Sequence, residues 1–230
     1  MFEALCESQY FGFAISLLGF ELGAVLQKRF KKAIFNPLLI GVIFVIIVIK
    51  ILGVSYEDYN SSAQYLSYFL TPATVCLSIS LYRQIEALKN NWIAIIAGIV
   101  AGIVICMLSV LGIAVIFHLS HSEYVTLLPK SITTAIGAPV SKELGGITEI
   151  TIAVIVTTGI FGNIIAKPIF QIFKITDPVA QGISIGTSSH AAGTAKAIEL
   201  GDVQGAMSGL AIGVAGIVTV ILAQIFALIY

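Results

Sequence analysis

Thr187-Ser188-Ser189-His190-Ala191-Ala192-Gly193-Thr194-Ala195-Lys196-Ala197-Ile198-Glu199 lies between two long apolar segments. Hydroxyls, a histidine, a lysine and a glutamate crowd a stretch whose neighbours are almost entirely hydrocarbon. Polar groups in such a setting are costly unless something satisfies or uses them. A small polar ligand is the simplest use, and the rest of the chain says what would present it.

The chain has 230 residues, 58% of them hydrophobic and only 10% charged, with a mean hydropathy of +1.02. Soluble domains carry about a quarter charged residues, and a water-soluble core of this size could not hide so much apolar surface. The composition predicts an all-α integral membrane protein, a single domain over residues 1–230. The formal net charge is zero, which removes nucleic acid as a partner and leaves the lipid bilayer. Cys6, Cys76 and Cys106 have neither disulfide nor metal spacing and read as small apolar thiols. No cofactor or metal is expected. No nucleophile elbow, P-loop, dinucleotide fingerprint or H-E-x-x-H occurs, so no enzyme is expected either.

The apolar run 10–27 follows Glu3 and Glu7 and precedes Lys28, Arg29, Lys31 and Lys32. That order is the reverse of a signal peptide. It holds the basic cluster in the cytoplasm and sets the N-terminus outside. Segments 10–27, 37–54, 92–117, 147–165 and 205–229 are long and apolar enough to cross the bilayer. Three others are irregular: 65–88 with Thr71-Pro72, 125–141 with two prolines and Lys130, and 182–200, rich in Gly, Ala, Ser and Thr. These suit broken or re-entrant helices lining a polar cavity.

The two halves echo each other. Val100-Ala101-Gly102-Ile103-Val104 returns as Val214-Ala215-Gly216-Ile217-Val218, a shift of 114. Thr74, Arg83, Ile85 and Glu86 return as Thr187, Lys196, Ile198 and Glu199, a shift of 113. The halves are then residues 1–118 and 119–230. Internal repeats are a common transporter architecture, with the site at their interface near the midplane. Third segments that dip in and return make the copies inverted, which is the expectation here. Counting positive charge does not decide it: inverted copies put Lys167 and Lys174 inside and Arg83, Lys89 and Lys142 outside, and parallel copies do the reverse.

Several residues are candidates for chemistry. Thr187, Ser188, Ser189 and His190 combine hydroxyls, a helix start and a titratable ring, a fit for a carboxylate moved with a proton; close helix packing is the alternative. Pro129-Lys130-Ser131-Ile132-Thr133-Thr134 offers the free N–H groups of a helix start. Lys130 either counters a carboxylate or snorkels to headgroups. Thr71 and Thr74 form a milder analogue. Arg83 with Glu86, and Lys196 with Glu199, are spaced to pair on a helix face, as structural pairs, gates or proton couplers. Asn163 lines a pathway or bonds across helices, and Glu143 caps or links helices.

Residues 129–146, PKSITTAIGAPVSKELGG, and 184–201, SIGTSSHAAGTAKAIELG, resemble the two signature regions of the LrgB/CidB family, and the resemblance extends over the whole chain. It implies an antiholin-like or holin-like protein of the bacterial cytoplasmic membrane. Such proteins modulate murein hydrolase export and autolysis with a small LrgA/CidA-type partner. The plastid relative, in which both parts are fused, is a glycolate/glycerate transporter. By that resemblance the expected activity is carriage of small monocarboxylates. Lys130, Ser131, Thr133 and Thr134 in one signature, and Thr187, Ser188, Ser189, His190 and Lys196 in the other, would take part. A homodimer is expected by analogy with other carriers.

Overall fold

The computed structural model describes residues 8, 10–30, 35–69, 72, 82 and 85–230. Thr71, Thr74 and Arg83 lie outside the described residues. Every regular element described is helical. The chain falls into two compact units, Met1–Cys76 and Leu77–Tyr230. This division by packing differs from the division of the repeat at 118/119.

The first unit holds α1 (Phe11–Phe30), α2 (Pro37–Leu52), α3 (Tyr56–Ala63) and a 3-10 turn (Gln64–Phe69). Asn36 caps α2 by accepting from the Leu38 and Leu39 amides, and Gly53 closes it in the left-handed region at φ 68°, where a side chain would be strained. Gly19 of α1 meets Gly41 of α2, and Gly23 meets Pro37, so the two helices run antiparallel with glycine at their closest approach.

The second unit holds α4 (Ile85–Phe117), α5 (His121–Leu127), α6 (Thr134–Glu143), α7 (Thr148–Ile172), α8 (Pro178–Leu200) and α9 (Asp202–Ala227). Four described helices are long and apolar enough to cross a membrane: α1, the Asn91–Phe117 part of α4, α7 and α9. The fifth expected span, α2, is an apolar helix of only 16 residues.

The irregular segments of the second unit are hairpins. In α8, His190 has φ 42° and ψ −141°, which no helix tolerates, and the chain reverses there. Gly182 faces Met207 and Gly186 faces Ala211, so the first arm runs alongside α9 in the same direction. Thr194 bonds Ser208 and Gly205 faces Ile198, so the second arm runs back. Arms of residues 178–189 and 191–200 give about 18 and 15 Å of helix. That is roughly half of a 30 Å hydrocarbon layer.

The segment 121–143 folds the same way. Pro129 follows the end of α5, and Thr133 starts α6 from an extended conformation. Ser122 donates to the Gly145 carbonyl, and Thr151 donates to both the Thr126 carbonyl and the Ser141 hydroxyl, so both ends of the hairpin lie together. A capping box between Ser120 and Glu123 starts α5. There the hydroxyl and amide of Ser120 hold the Glu123 carboxyl below the usual carboxylate range.

Tyr230 at the end of α9 donates to the Ala114 and Leu119 carbonyls at the end of α4, and Tyr124 donates to the Phe226 carbonyl. Gly98 and Gly102 of α4 lie against Ile183 and Thr187 of α8. Hence α4 and α9 run in the same direction, and α7 runs opposite. The hairpin α5–α6 enters where α4 ends; the hairpin α8 enters from the other end, where α7 ends. Three crossings and two opposed hairpins make up the described residues of the unit.

Two expectations change in consequence. The copies matched by a shift of 114 have their last helices, α4 and α9, pointing the same way, so inversion of the two halves finds no support at these helices. The lysines also sort differently: Lys89 lies at the same end as Lys167 and Lys174, opposite Lys142. Both earlier countings took 125–141 as a crossing, whereas its contacts return it to the end it left.

The core lies along one face of α4 (Ile95, Ile99, Ile103, Met107, Val110, Ala114) packed on Ala206, Met207, Ala211, Ala215 and Ala223 of α9 and on Tyr124, Val125 and Leu128. Large residues on α4 meet alanines on α9, which lets the two backbones approach closely.

Candidate functional site

The two hairpin tips meet the middle of the crossing helices. Ser131 sits at one tip with its hydroxyl 3.1 Å from the Cys106 thiol, near the centre of α4. Thr187 lies one turn of α4 away, against Gly102. Gly162 of α7 packs on the Ser189 side chain, and Gly159 on the His190 ring. Glycine is needed at both places because the tip backbone comes within side-chain distance of α7.

A cavity of about 800 Å³ runs between α4, α7 and the first arm of α8. Its lining starts at Asn91 and Asp177 and stops at mid-depth with Cys106, Ser109, Lys130, Ser131, Ser188 and Ser189. Thr187 lines it too, 6% exposed. The Thr187 hydroxyl is the one buried side-chain polar atom without a hydrogen-bond partner among the described residues. A threonine within a helix usually satisfies itself on the carbonyl a turn back, and an unpaired buried hydroxyl costs about 1–3 kcal/mol. Ser188 donates to the Ser184 carbonyl and shares a 3.0 Å contact with Ser189. Lys130 is half-buried. The only ion pair among the described residues joins Lys196 and Glu199, so Lys130 has no ion-pair partner; the other charged residue of the lining is Asp177, at the mouth. The helices that leave the two tips, α6 and the second arm of α8, start there and add the positive ends of their dipoles.

The expected site residues divide as follows. Lys130, Ser131, Thr187, Ser188 and Ser189 come together on the cavity wall. Thr133 and Thr134, half-buried at the start of α6, are beside the tip but off the wall, and Thr133 makes no side-chain cap bond. His190 is turned away: its Nε2 lies 3.0 Å from the Ile155 carbonyl, and Thr194 donates to the His190 carbonyl. Asn163 bonds across helices, donating to the Ala192 carbonyl. The His190 and Asn163 contacts tie the turn of α8 to α7. Lys196 and Glu199 pair at 2.6 Å on the second arm of α8, whereas Glu86 in the first turn of α4 and Glu143 at the end of α6 are exposed. Cys106, Gly102, Thr158 and Phe161 also line the cavity. An isolated thiol, a glycine, a threonine and a phenylalanine in apolar helices carry no local signal of that role.

The chain matches the LrgB-like family over residues 16–229. It is 37% identical over 220 residues to the antiholin-like protein LrgB of Bacillus subtilis (strain 168), covering 95% of each chain. It is 34% identical over 218 residues to the antiholin-like proteins LrgB of Bacillus cereus (strain B4264) and Bacillus anthracis (strain CDC 684 / NRRL 3495), covering 94% of this chain and 95% of each of theirs. No solved structure matches it significantly. With nearly its whole length aligned to the family and to these relatives, the chain belongs to the LrgB-like family.

Proposed function

We propose that this protein acts as an antiholin-like component of the bacterial cytoplasmic membrane, and that its molecular activity there is to bind and carry a small monocarboxylate. The two parts have different support. The antiholin-like role rests on the names of the relatives, which speak of no transport. The carrier activity rests on one observation: two opposed hairpin tips close a cavity around a single lysine and a buried hydroxyl that lacks a partner. A half-buried cation at mid-depth in a membrane is costly unless it serves a ligand or pathway. One cation and several hydroxyls suit a monoanion such as glycolate, glycerate, lactate or pyruvate. Each hydroxyl can donate to a carboxylate oxygen, and the lysine supplies the charge.

The inversion expected between halves fits better between smaller units, each a hairpin followed by a crossing: α5–α6 with α7, and α8 with α9. Opposed entry of the two hairpins supports that reading, and with it the binding of substrate between inverted elements. No chemistry on the substrate is required, and Ser131, Ser188 and Ser189 are binding groups rather than nucleophiles. Proton coupling through His190 would act indirectly, by shifting the tip that its ring holds to α7. An LrgA/CidA-type chain and a second copy are the partners this reading admits, with the N-terminus outside.

The test uses purified protein in liposomes, with and without an LrgA-type partner, and labelled glycolate, lactate or pyruvate. Saturable uptake that Lys130→Met abolishes and Lys130→Arg keeps is expected. Uptake no greater than in empty liposomes, with the partner present, refutes the carrier. The same variants in a strain lacking its own family member, scored for autolysis rate, separate the two parts. Control of autolysis that survives Lys130→Met would detach the antiholin-like role from the cavity.

A further inference from the structure

We infer that the cavity takes a monocarboxylate with an unbranched alkyl chain, its carboxylate held at the hairpin tips and its chain laid along the apolar length of the hollow. The inference rests on reading the tips as the place where a carboxylate docks, and it adds what the rest of the cavity is for.

The first observation is size. A hollow of about 800 Å³ is large enough to enclose a drug-sized ligand. An acid such as glycolate or pyruvate occupies only the part beside the tips.

The second observation is the distribution of polarity. Lys130 and Ser131 of one tip, and Ser188 and Ser189 of the other, stand with Cys106 and Ser109 at the mid-depth end. From the level of Gly102 back toward Asn91 the walls are apolar, with Ile95 and Gly98 on α4, Ile165 and Phe170 on α7, and Ile183 on α8. Among the described residues Ser184 is the only polar side chain lining that stretch, and its hydroxyl already donates to the Gln181 carbonyl. The stretch is about 16 Å long, measured along α4. A lone cation at one end of a long apolar hollow matches a molecule charged at one end with hydrocarbon behind it. A dicarboxylate would set its second charge against apolar walls, which is costly, or against Asp177 at the far end.

The third observation is shape. Ile95, Phe170 and Ile183 form a buried floor, whereas Gly98, Ile105, Ser109 and Ser184 are exposed. The hollow is therefore a groove, open along one side, into which a chain is laid lengthwise. Full burial of a methylene strengthens binding about fourfold. A groove open on one side gives about half of that burial, or about twofold for each methylene.

The test titrates acetate, butyrate, hexanoate, octanoate and octanedioate by calorimetry into the full-length protein in lipid nanodiscs, with empty nanodiscs as the blank for partition. Octanoate should bind at least tenfold more tightly than butyrate, and octanedioate no more tightly than butyrate. Lys130→Met should weaken acetate and octanoate by the same factor. A Cβ at Gly98 meets only the Ile183 Cγ2 atom, at 3.9 Å, so Gly98→Leu fits the fold and fills the groove well short of the tips. In that variant octanoate should fall to the level of butyrate, while acetate binds as it does to the parent. Equal affinity for acetate and octanoate in the parent overturns the inference and leaves the carboxylate site standing. A gain with length that persists in Gly98→Leu, or octanedioate matching octanoate, also overturns it, because the chain would then lie outside the groove. Binding of no acid at any length overturns the carboxylate site itself.

Discussion

Gly162→Ala is the sharpest test of how the α8 tip is seated on α7. A Cβ built at Gly162 would lie 2.6 Å from the Ser189 Cβ, with the Ser189 hydroxyl closer still. The serine side chain is one atom long and its Cβ is fixed by the backbone, so the tip itself must move. Overpacking of this kind costs about 1–3 kcal/mol. Replacing glycine by alanine inside a helix also gains about 1 kcal/mol of propensity, which obscures the loss. Gly112 of α4 and Gly213 of α9 remove that ambiguity, since a Cβ at either meets nothing within 4 Å. Their alanine variants carry the propensity gain without the clash, and the contrast isolates the packing cost. For a chain of this size about 1–3 kcal/mol corresponds to roughly 2–12 °C in melting temperature.

The assay is thermal unfolding in detergent for Gly162→Ala, Gly112→Ala and Gly213→Ala, followed by the double variant Gly162→Ala with Ser189→Gly. Gly162→Ala should melt at least about 2 °C below the two controls. The double variant should recover stability, with a coupling of about 0.5–3 kcal/mol. If Gly162→Ala melts with Gly112→Ala, or if Ser189→Gly gives nothing back, the tip does not rest on α7 as described.

Thr187→Val keeps the shape and removes the unpaired buried hydroxyl. It should stabilise the fold by about 1 kcal/mol, read as a higher melting temperature, while weakening glycolate binding about tenfold by calorimetry; a loss of stability would mean that the hydroxyl has a partner after all. Glu199→Gln should leave uptake unchanged and stability within about 1 kcal/mol, because the Lys196–Glu199 pair is a partly exposed i,i+3 contact; a large loss of uptake would make that pair a gate. Glu123 is held below its ordinary range by Ser120, so its stabilising effect is present above that range and fades as pH falls through the folded-state pKa. The stability gap between the parent and Ser120→Ala should therefore narrow as pH falls through that range, leaving the part due to the Glu123 amide bond to Ser120, and a gap that does not change with pH would remove the carboxyl from the acid response.

Some of this was legible in the sequence and some was not, for physical reasons. Composition decides the membrane, because 10% charged residues cannot clothe a soluble surface. Pro129 beside Lys130 and the Ser188-Ser189-His190 run disfavour continued helix, whereas Pro139 is carried inside α6. Neither says whether the chain turns back. An arm of ten residues has the same local preferences in a hairpin as in half of a crossing. The reversals are fixed by contacts between distant residues, Thr126 with Thr151 and Asn163 with Ala192. Lysine counting left the sides undecided for the same reason, because counting the re-entrant segment 125–141 as a crossing exchanges every later loop. His190 attracted a titration role by its type, yet its ring is fixed against the Ile155 carbonyl. Cys106 carried no signal at all, since only folding brings it to Ser131.

The size of the cavity bears on how an antiholin-like effect would arise. A folded hydrolase domain is about 30 Å across, whereas the described residues of the second unit form three crossings and a cavity of about 800 Å³, room for small solutes only. Its walls also hold the tips by hydrogen bonds and glycine contacts, so widening to protein scale would dismantle the fold. An influence on wall hydrolases then has two physical routes. The chain changes what small anion or charge gradient the membrane sustains, or it occupies a partner that makes the larger opening. A lysine at mid-depth serves the first route and has no use in the second, where an apolar contact would be cheaper to bury. Lys130→Met therefore discriminates between them: silence in transport with full control of autolysis leaves partner occupation, and loss of both ties autolysis to the solute.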